Sequence, residues 1–160
     1  MKVIDNFLPK KEFLDLQNAF MSDKMPWYFQ SEINHYSTKE ELNCYFTHGL
    51  YFQHQGYSNY FNYVKPILEF INPKALIRVK ANLYMKTEKV EVHKPHEDYF
   101  FKHDGAIFYV NTNNGKTILH DGTKIDSIGN RLLLFDSSKK HSSSSTTDSK
   151  CRININFNYF

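Results

Sequence analysis

Glycine is scarce in this chain, with 6 in 160 residues, and there is one tryptophan. With 41% hydrophobic residues and so little glycine, the chain is neither disordered, collagen-like nor dominated by linkers. No apolar run approaches the ~20 residues that span a bilayer, so no membrane partner is expected. The first residues, Met1-Lys2-Val3-Ile4-Asp5-Asn6, lack the apolar core of a signal peptide. Cysteine is equally sparse. Cys44 and Cys151 lie far apart, and no CxxC or Cys/His zinc spacing exists. They read as two reduced, buried thiols of a soluble cytoplasmic protein. Excess charge is also missing. Lys and Arg total 20 against 17 Asp and Glu, a net +3, too little to argue for a nucleic-acid or membrane partner by bulk electrostatics.

Aromatic residues are what is plentiful. They make up 16% of the chain, with 14 Phe and 11 Tyr, and they favour strands over helices. The length suits one domain, at roughly 100–200 residues per domain, and suffices for a core without a disulfide or zinc staple.

Along the chain, Val3–Leu8 reads as a short strand and Lys10–Met21 as a helix, with Phe13, Leu16 and Phe20 forming its apolar stripe. Trp27–Tyr63 is dense in aromatics and reads either as strands or as a lid. A second helical stripe runs Phe61, Val64, Leu68, Ile71, with a kink or restart expected at Pro66 and an end at Asn72-Pro73. From residue 75 the period becomes two. Ile77, Val79, Ala81, Leu83 and Met85 share one face, and Arg78, Lys80, Asn82 and Tyr84 the other. Gly105–Asn111 and Lys116–Leu119 read as a hairpin closed by Asn113-Asn114-Gly115. Asp121-Gly122 is another turn, and Arg131–Phe135 an apolar strand. Cys151–Tyr159 alternates Ile153, Ile155, Phe157 and Tyr159 against Arg152, Asn154, Asn156 and Asn158. By composition Ser142–Thr147 is a solvated loop, although its place between His141 and Arg152 puts it in the wall of any site there. The fold class expected is α+β, mainly β, in the manner of a sandwich or barrel.

One constellation carries chemistry. His96 and Asp98 are two apart, so on extended backbone both point to one side. His141 lies 43 residues beyond Asp98, after the apolar strand. Two histidines and a carboxylate on one face of a metal leave the opposite positions open, the ligand set of non-haem Fe(II). Structural zinc would want four ligands and more sulfur, and magnesium or calcium mostly oxygen. His93, His103, Asp104 and Asp136 are rival ligands nearby. Eleven residues after His141 comes Arg152, whose guanidinium can grip a carboxylate through two parallel hydrogen bonds.

The ordered set Asn82-x-Tyr84, His96-x-Asp98, His141, Arg152-x-Asn154 resembles the 2-oxoglutarate/Fe(II)-dependent oxygenases. The likeness covers residues 75–160 and extends loosely to the first half. The strand ending in Leu8-Pro9 before a helix resembles the compact prolyl-hydroxylase-like members, including small phage-carried ones. The resemblance implies a double-stranded β-helix, or jelly roll, with N-terminal supporting helices. It implies a single domain over 1–160, with 1–74 as support and lid and 75–160 as the core. It implies Fe(II) on His96, Asp98 and His141, and 2-oxoglutarate on Arg152 with Tyr84, while Asn82 and Asn154 position the keto-acid end. Arg78 and Lys80 share a strand face with Asn82, and either could replace or assist it.

With O2 as second co-substrate, the activity implied is hydroxylation of a peptidyl or small-molecule C–H, releasing succinate and CO2. If the chain is viral, the compartment implied is the host cytoplasm. A nucleic-acid dealkylase of the same superfamily is the alternative, and it predicts a basic groove over aromatics near Trp27, Tyr28 and Tyr36. A protein hydroxylase predicts instead an open groove beside the iron. Two other readings stand: a non-catalytic jelly-roll binding module with a vestigial metal site, and a cupin-like metal enzyme that does not use 2-oxoglutarate.

Overall fold

A computed structural model describes residues 1–32 and 44–160. The strands are β1 (Lys2–Ile4), β2 (Tyr28–Gln30), β3 (Tyr45–Phe52), β4 (Gln55–Gly56), β5 (Leu76–Met85), β6 (Asp104–Tyr109), β7 (Lys116–Ile118), β8 (Lys124–Asp126), β9 (Arg131–Asp136), β10 (Ser142–Ser143) and β11 (Cys151–Tyr159). The helices are α1 (Lys10–Phe20) and α2 (Lys65–Ile71), the latter preceded by a 3-10 turn at Asn59–Val64. The predicted restart at Pro66 is this junction, since proline fits the first turn of a helix but not its interior.

The large sheet runs β1-β9-β6-β11-β5-β3-β2, with β4 on β3, and its pairs are antiparallel. The small sheet runs β10-β7-β8. Together they form the double-stranded β-helix. Alternation sorts the two faces as the sequence predicts from Val79 to Leu83 of β5 and along β11, whereas Met85 at the end of β5 is exposed and, past a register irregularity beside Asn158 and Tyr159, Leu76 rather than Ile77 packs on the core. Val79, Ala81, Ile153, Ile155 and Phe157 turn to one side and pack under Leu16 and Phe20 of α1 and Ile67 of α2. A second core of Ile107, Tyr109, Leu119, Ile125, Leu133 and Phe135 fills the space between the sheets. Arg152, Asn154, Asn156 and Asn158 face this inner side and are buried as well. Burying polar side chains against a second sheet is costly unless they are paired, so these positions draw attention to the site.

Four expectations need correction. Lys116–Ile118 does not form a hairpin with β6; it crosses to the small sheet and pairs with β8 and β10. The hairpin is at Asp121-Gly122 instead, where Gly122 takes φ +84°, the left-handed conformation a tight turn favours in glycine. Of Ser142–Thr147, read as a solvated loop, residues 142–146 are buried and Thr147 is half-buried: Ser142 and Ser143 pair with β7, and Ser144 and Thr146 bridge to Val92 and Lys86. Its hydroxyls are satisfied internally, which composition alone does not reveal. The first strand ends at Ile4, because Phe7 and Leu8 bond to Asn130 instead of a neighbouring strand. Both cysteines are free, but Cys44, just before β3, is exposed. The aromatic stretch supplies β2, β3 and β4, while Tyr36 lies outside the described residues. No described helix is long and apolar enough to cross a membrane.

Candidate metal centre and anion pocket

His96 and His141 stand opposite each other in an isolated antiparallel bridge and exchange both backbone hydrogen bonds, 3.0 and 2.9 Å. This brings their rings to 4.8 Å between centroids. Each Nδ1 faces a backbone carbonyl two residues earlier, Lys94 O at 3.5 Å and Lys139 O at 3.1 Å. With those nitrogens donating, the Nε2 lone pairs are left for a metal, the usual way a ligand histidine is oriented. Asp98 completes the cluster: one ligand atom from each of the three residues lies within 4.8 Å of the others, and Asp98 Oδ2 is 3.9 Å from His141 Nε2. Burial pushes His96 down to about 4, with His141 and Lys80 reinforcing the effect, so its ring is neutral and able to ligate at neutral pH.

Asp98 is surrounded by donors. Arg78 Nη2 donates to Oδ1 at 2.8 Å, and Asn156, Asn158 and Ser137 donate to Oδ2 at 2.9, 2.9 and 3.1 Å. Burial alone would raise this carboxyl, but Arg78, His141, Asn158 and Asn156 outweigh it and hold it well below the carboxylate range. The carboxylate is therefore ionised and fixed. No local pattern assigns Arg78, Asn156, Asn158 or Ser137 to Asp98 in particular. The signal for the asparagines was present, since the period of two that turns Arg152 inward turns Asn156 and Asn158 inward too.

A cavity of about 40 Å³ adjoins the cluster, walled by Tyr45, Lys80, Asn82, Tyr84, Asn154 and Asn156 among others. Asn82 and Asn154 are register partners across β5 and β11, and Asn82 Nδ2 donates to Asn154 Oδ1 at 2.9 Å. The Oδ1 atoms of Asn82 and Asn156 are buried without a partner among the described residues, which leaves acceptors for a bound donor or water. Tyr84 stacks between Tyr45 and His93, at 5.5 and 5.2 Å, and burial raises its phenol against the opposing pull of Arg152. His93 bonds Ser143 Oγ at 2.7 Å and stands outside the three-residue cluster, as do His103, Asp104 and Asp136.

Arg152 is fully buried between the Tyr84 and Tyr109 rings. Its Nε donates to Ser127 Oγ at 2.7 Å, Nη2 to Thr117 Oγ1 at 3.1 Å and Nη1 to Ser144 O at 3.5 Å. No carboxylate among the described residues lies within ion-pair distance of it. Taking a guanidinium out of water costs several kcal/mol unless an anion meets it, so this charge is built for an anionic ligand. Tyr84 and Thr117, which it touches, also line the cavity. The donor set thus fits a divalent metal, and the pocket beside it fits a carboxylate ligand.

No protein-family model and no curated protein matches the sequence. Solved structures do match in fold. The viral collagen prolyl hydroxylase of Paramecium bursaria Chlorella virus-1, in its 2-oxoglutarate complex, superposes with a TM-score of 0.63 at 16% identity, over 99% of this chain and 94% of that one. A prolyl-4-hydroxylase of Pseudomonas putida gives 0.62 at 11%, over 99% and 91%. A Trichoplax adhaerens prolyl hydroxylase, solved with a peptide fragment of a hypoxia-inducible factor, gives 0.66 at 16%, over 99% and 82%. The fold is that of the compact prolyl-hydroxylase-like 2-oxoglutarate oxygenases.

Proposed function

We propose that this chain is an Fe(II)- and 2-oxoglutarate-dependent oxygenase that hydroxylates an unactivated C–H of a peptidyl or small-molecule substrate. The observation that carries this reading is the pairing of the His96, Asp98 and His141 cluster with the buried, acid-free Arg152 across one cavity wall. Either alone is a common structural feature. A facial ligand set beside a guanidinium in want of a carboxylate matches a metal that is chelated by one end of a dicarboxylic keto acid. Kinship in fold with enzymes of this chemistry supports it.

In this reading His96, Asp98 and His141 hold the metal, and Arg152 takes the distal carboxylate of 2-oxoglutarate. Asn82 and Asn154 border the keto-acid end, and Tyr84 walls the pocket while screening Arg152 from water. Arg78, Asn156, Asn158 and Ser137 keep Asp98 ionised and fixed, so that ligand geometry is set before the metal arrives. Fe(II) with 2-oxoglutarate and O2 supplies the oxidation, by which a C–H becomes C–OH and 2-oxoglutarate leaves as succinate and CO2. One domain spanning 1–160 would do all of this.

Anaerobic titration of the protein with Fe(II) and 2-oxoglutarate tests the reading. A weak visible charge-transfer band near roughly 500 nm is expected for a keto acid chelating Fe(II) in an open facial site. Its absence from the wild type overturns the proposal. Its persistence in His96→Ala overturns the ligand assignment.

A further inference from the structure

Beside the metal-ligand cluster opens a second, larger groove of about 530 Å³, on the β3 side of the large sheet. Tyr28, Phe52 and Tyr57 stand in its walls and are 60%, 46% and 54% exposed, a run of wet aromatic surface close to the site. Gly49 lies in the groove, and a Cβ built on it would meet nothing within 4 Å, so the groove is open there. No Asp or Glu is among the described residues that line it, whereas Arg78 and Lys80 both do. Lys80 is the residue shared by the described linings of this groove and of the metal-site cavity. It stands where the two meet.

The two cations are not equivalent. Arg78 is paired with Asp98 at 2.8 Å and bonded to Asn158 Oδ1 at 3.1 Å. Lys80 has only a neutral partner, Tyr45 Oη at 3.3 Å, and no carboxylate among the described residues within ion-pair distance. Filling the site does not change this balance. A divalent metal and a dianionic keto acid add no net charge, so the two cations that no carboxylate among the described residues meets, Arg152 and Lys80, leave the filled site at +2 as they leave the empty one. With the distal carboxylate on Arg152, the surplus lies on the metal side, where Lys80 lines both the cavity and the aromatic groove and its ammonium meets Tyr45 alone among the described residues; burial and then Arg78 lower that ammonium to about 8, so it is still charged at neutral pH. There it attracts an anion far more strongly than an exposed lysine does.

Resting on the oxygenase reading, we propose that Lys80 determines substrate choice by holding the carboxylate of an acidic residue in a peptide substrate. Apolar neighbours of that residue lie over Tyr28, Phe52 and Tyr57, and a nearby residue presents its C–H to the metal. A free amino acid would leave most of a groove of this size empty. A nucleic-acid strand carries a phosphate at every nucleotide and is bound through a run of cations, whereas two cations are among the described residues lining this groove and one of them, Arg78, is held by Asp98.

The test uses full-length protein loaded with Zn(II) and N-oxalylglycine, an unreactive analogue of the keto acid, to select from a pool of randomised capped octapeptides. Retained peptides are sequenced by mass spectrometry. Wild type and Lys80→Arg should enrich Asp or Glu at one position by roughly tenfold over Asn or Gln, the equivalent of one good charge pair. Lys80→Met should lose that enrichment, and Lys80→Glu should replace it with Lys or Arg. No retained peptide, no acidic enrichment in the wild type, or the same enrichment in Lys80→Met overturns the proposal. So does retention of an oligo-dT 12-mer in place of peptides. The Fe(II)/2-oxoglutarate band, read on metal-free portions of the same purified proteins, separates the two failures. Its absence from the wild type removes the oxygenase reading itself, whereas its presence without acidic enrichment removes only the role of Lys80.

Discussion

Arg78 Nη2 lies 2.8 Å from Asp98 Oδ1, and this ion pair joins the face of β5 to the carboxylate of the metal-ligand cluster. The side chains are 22% and 7% exposed, so the pair is largely out of water. Replacing Arg78 by Met leaves a buried carboxylate short of its cation. The metal-free protein should lose about 3 kcal/mol of stability, within the range for breaking a buried pair. A divalent ion can stand in for the missing charge, so Zn(II) or Mn(II) should raise the melting temperature of Arg78→Met more than that of the wild type. Calorimetry with and without metal measures both. Equal metal-induced shifts would show that Arg78 and the metal do not share Asp98.

The gathering of His96, Asp98 and His141 and the inward turn of Arg152 were legible because they follow from spacing. His96-x-Asp98 on extended backbone, a distal histidine after a strand, and an arginine at the head of an alternating strand need no knowledge of tertiary contacts. Arg78 was legible as a residue on the inward face of β5 but not as the partner of Asp98, 20 residues further on. That pairing depends on how the loop after β5 returns to the sheet, which no local pattern encodes. Asn113-Asn114-Gly115 misled for the opposite reason. It has the composition of a two-residue turn, yet Asn113 Oδ1 accepts from Gly115 N, and Asn114 bonds to Thr146, Thr147 and Asp148. These tertiary bonds carry the chain across to the small sheet instead of closing a hairpin.

Arg152→Met should separate co-substrate binding from metal binding. The metal ligands lie on other segments, so Mn(II) or Zn(II) affinity should stay within a few-fold of the wild type. Arg152 is the fully buried cation among the described residues, and the replacement removes it. 2-Oxoglutarate should weaken by about 3 kcal/mol, roughly a hundredfold in Kd, if a buried bidentate pair is lost. Isothermal titration of the metal-loaded protein reads this directly. Unchanged affinity would move the anchor elsewhere.

Acid should destabilise the metal-free protein through His93. Burial, reinforced by Arg152 and His96, pushes this ring down to about 3, whereas an unfolded histidine titrates near 6.5. Between those values the unfolded chain binds a proton that the folded chain refuses. Stability is therefore complete above about 6.5 and falls as pH drops towards 3, at up to about 1.4 kcal/mol per pH unit. His93→Gln, which does not titrate, should show a shallower loss between pH 6.5 and 4.5 in urea denaturation. Identical slopes in the two proteins would mean that the folded state admits the proton on His93.

Gly115→Ala is the sharpest probe of how the anion site is held. A Cβ at this position would lie 2.5 Å from Arg152 Cδ, 2.7 Å from Ser145 O and 2.8 Å from Asn113 Oδ1. Two of these neighbours can swing away only by giving up their own bonds, Arg152 to Ser127 and Thr117 and Asn113 to Gly115 N, and the third is backbone. Overpacking of this kind costs about 1–3 kcal/mol. Part of that cost should appear as displacement of the guanidinium. We expect 2-oxoglutarate to bind roughly tenfold more weakly or worse, with metal affinity retained, because the His96–His141 bridge is untouched. Binding of metal and 2-oxoglutarate by the same preparation decides it. If the two weaken together, the strain has spread through the small sheet to the metal ligands; if neither changes, Arg152 has room to move that the close contact at Gly115 denies.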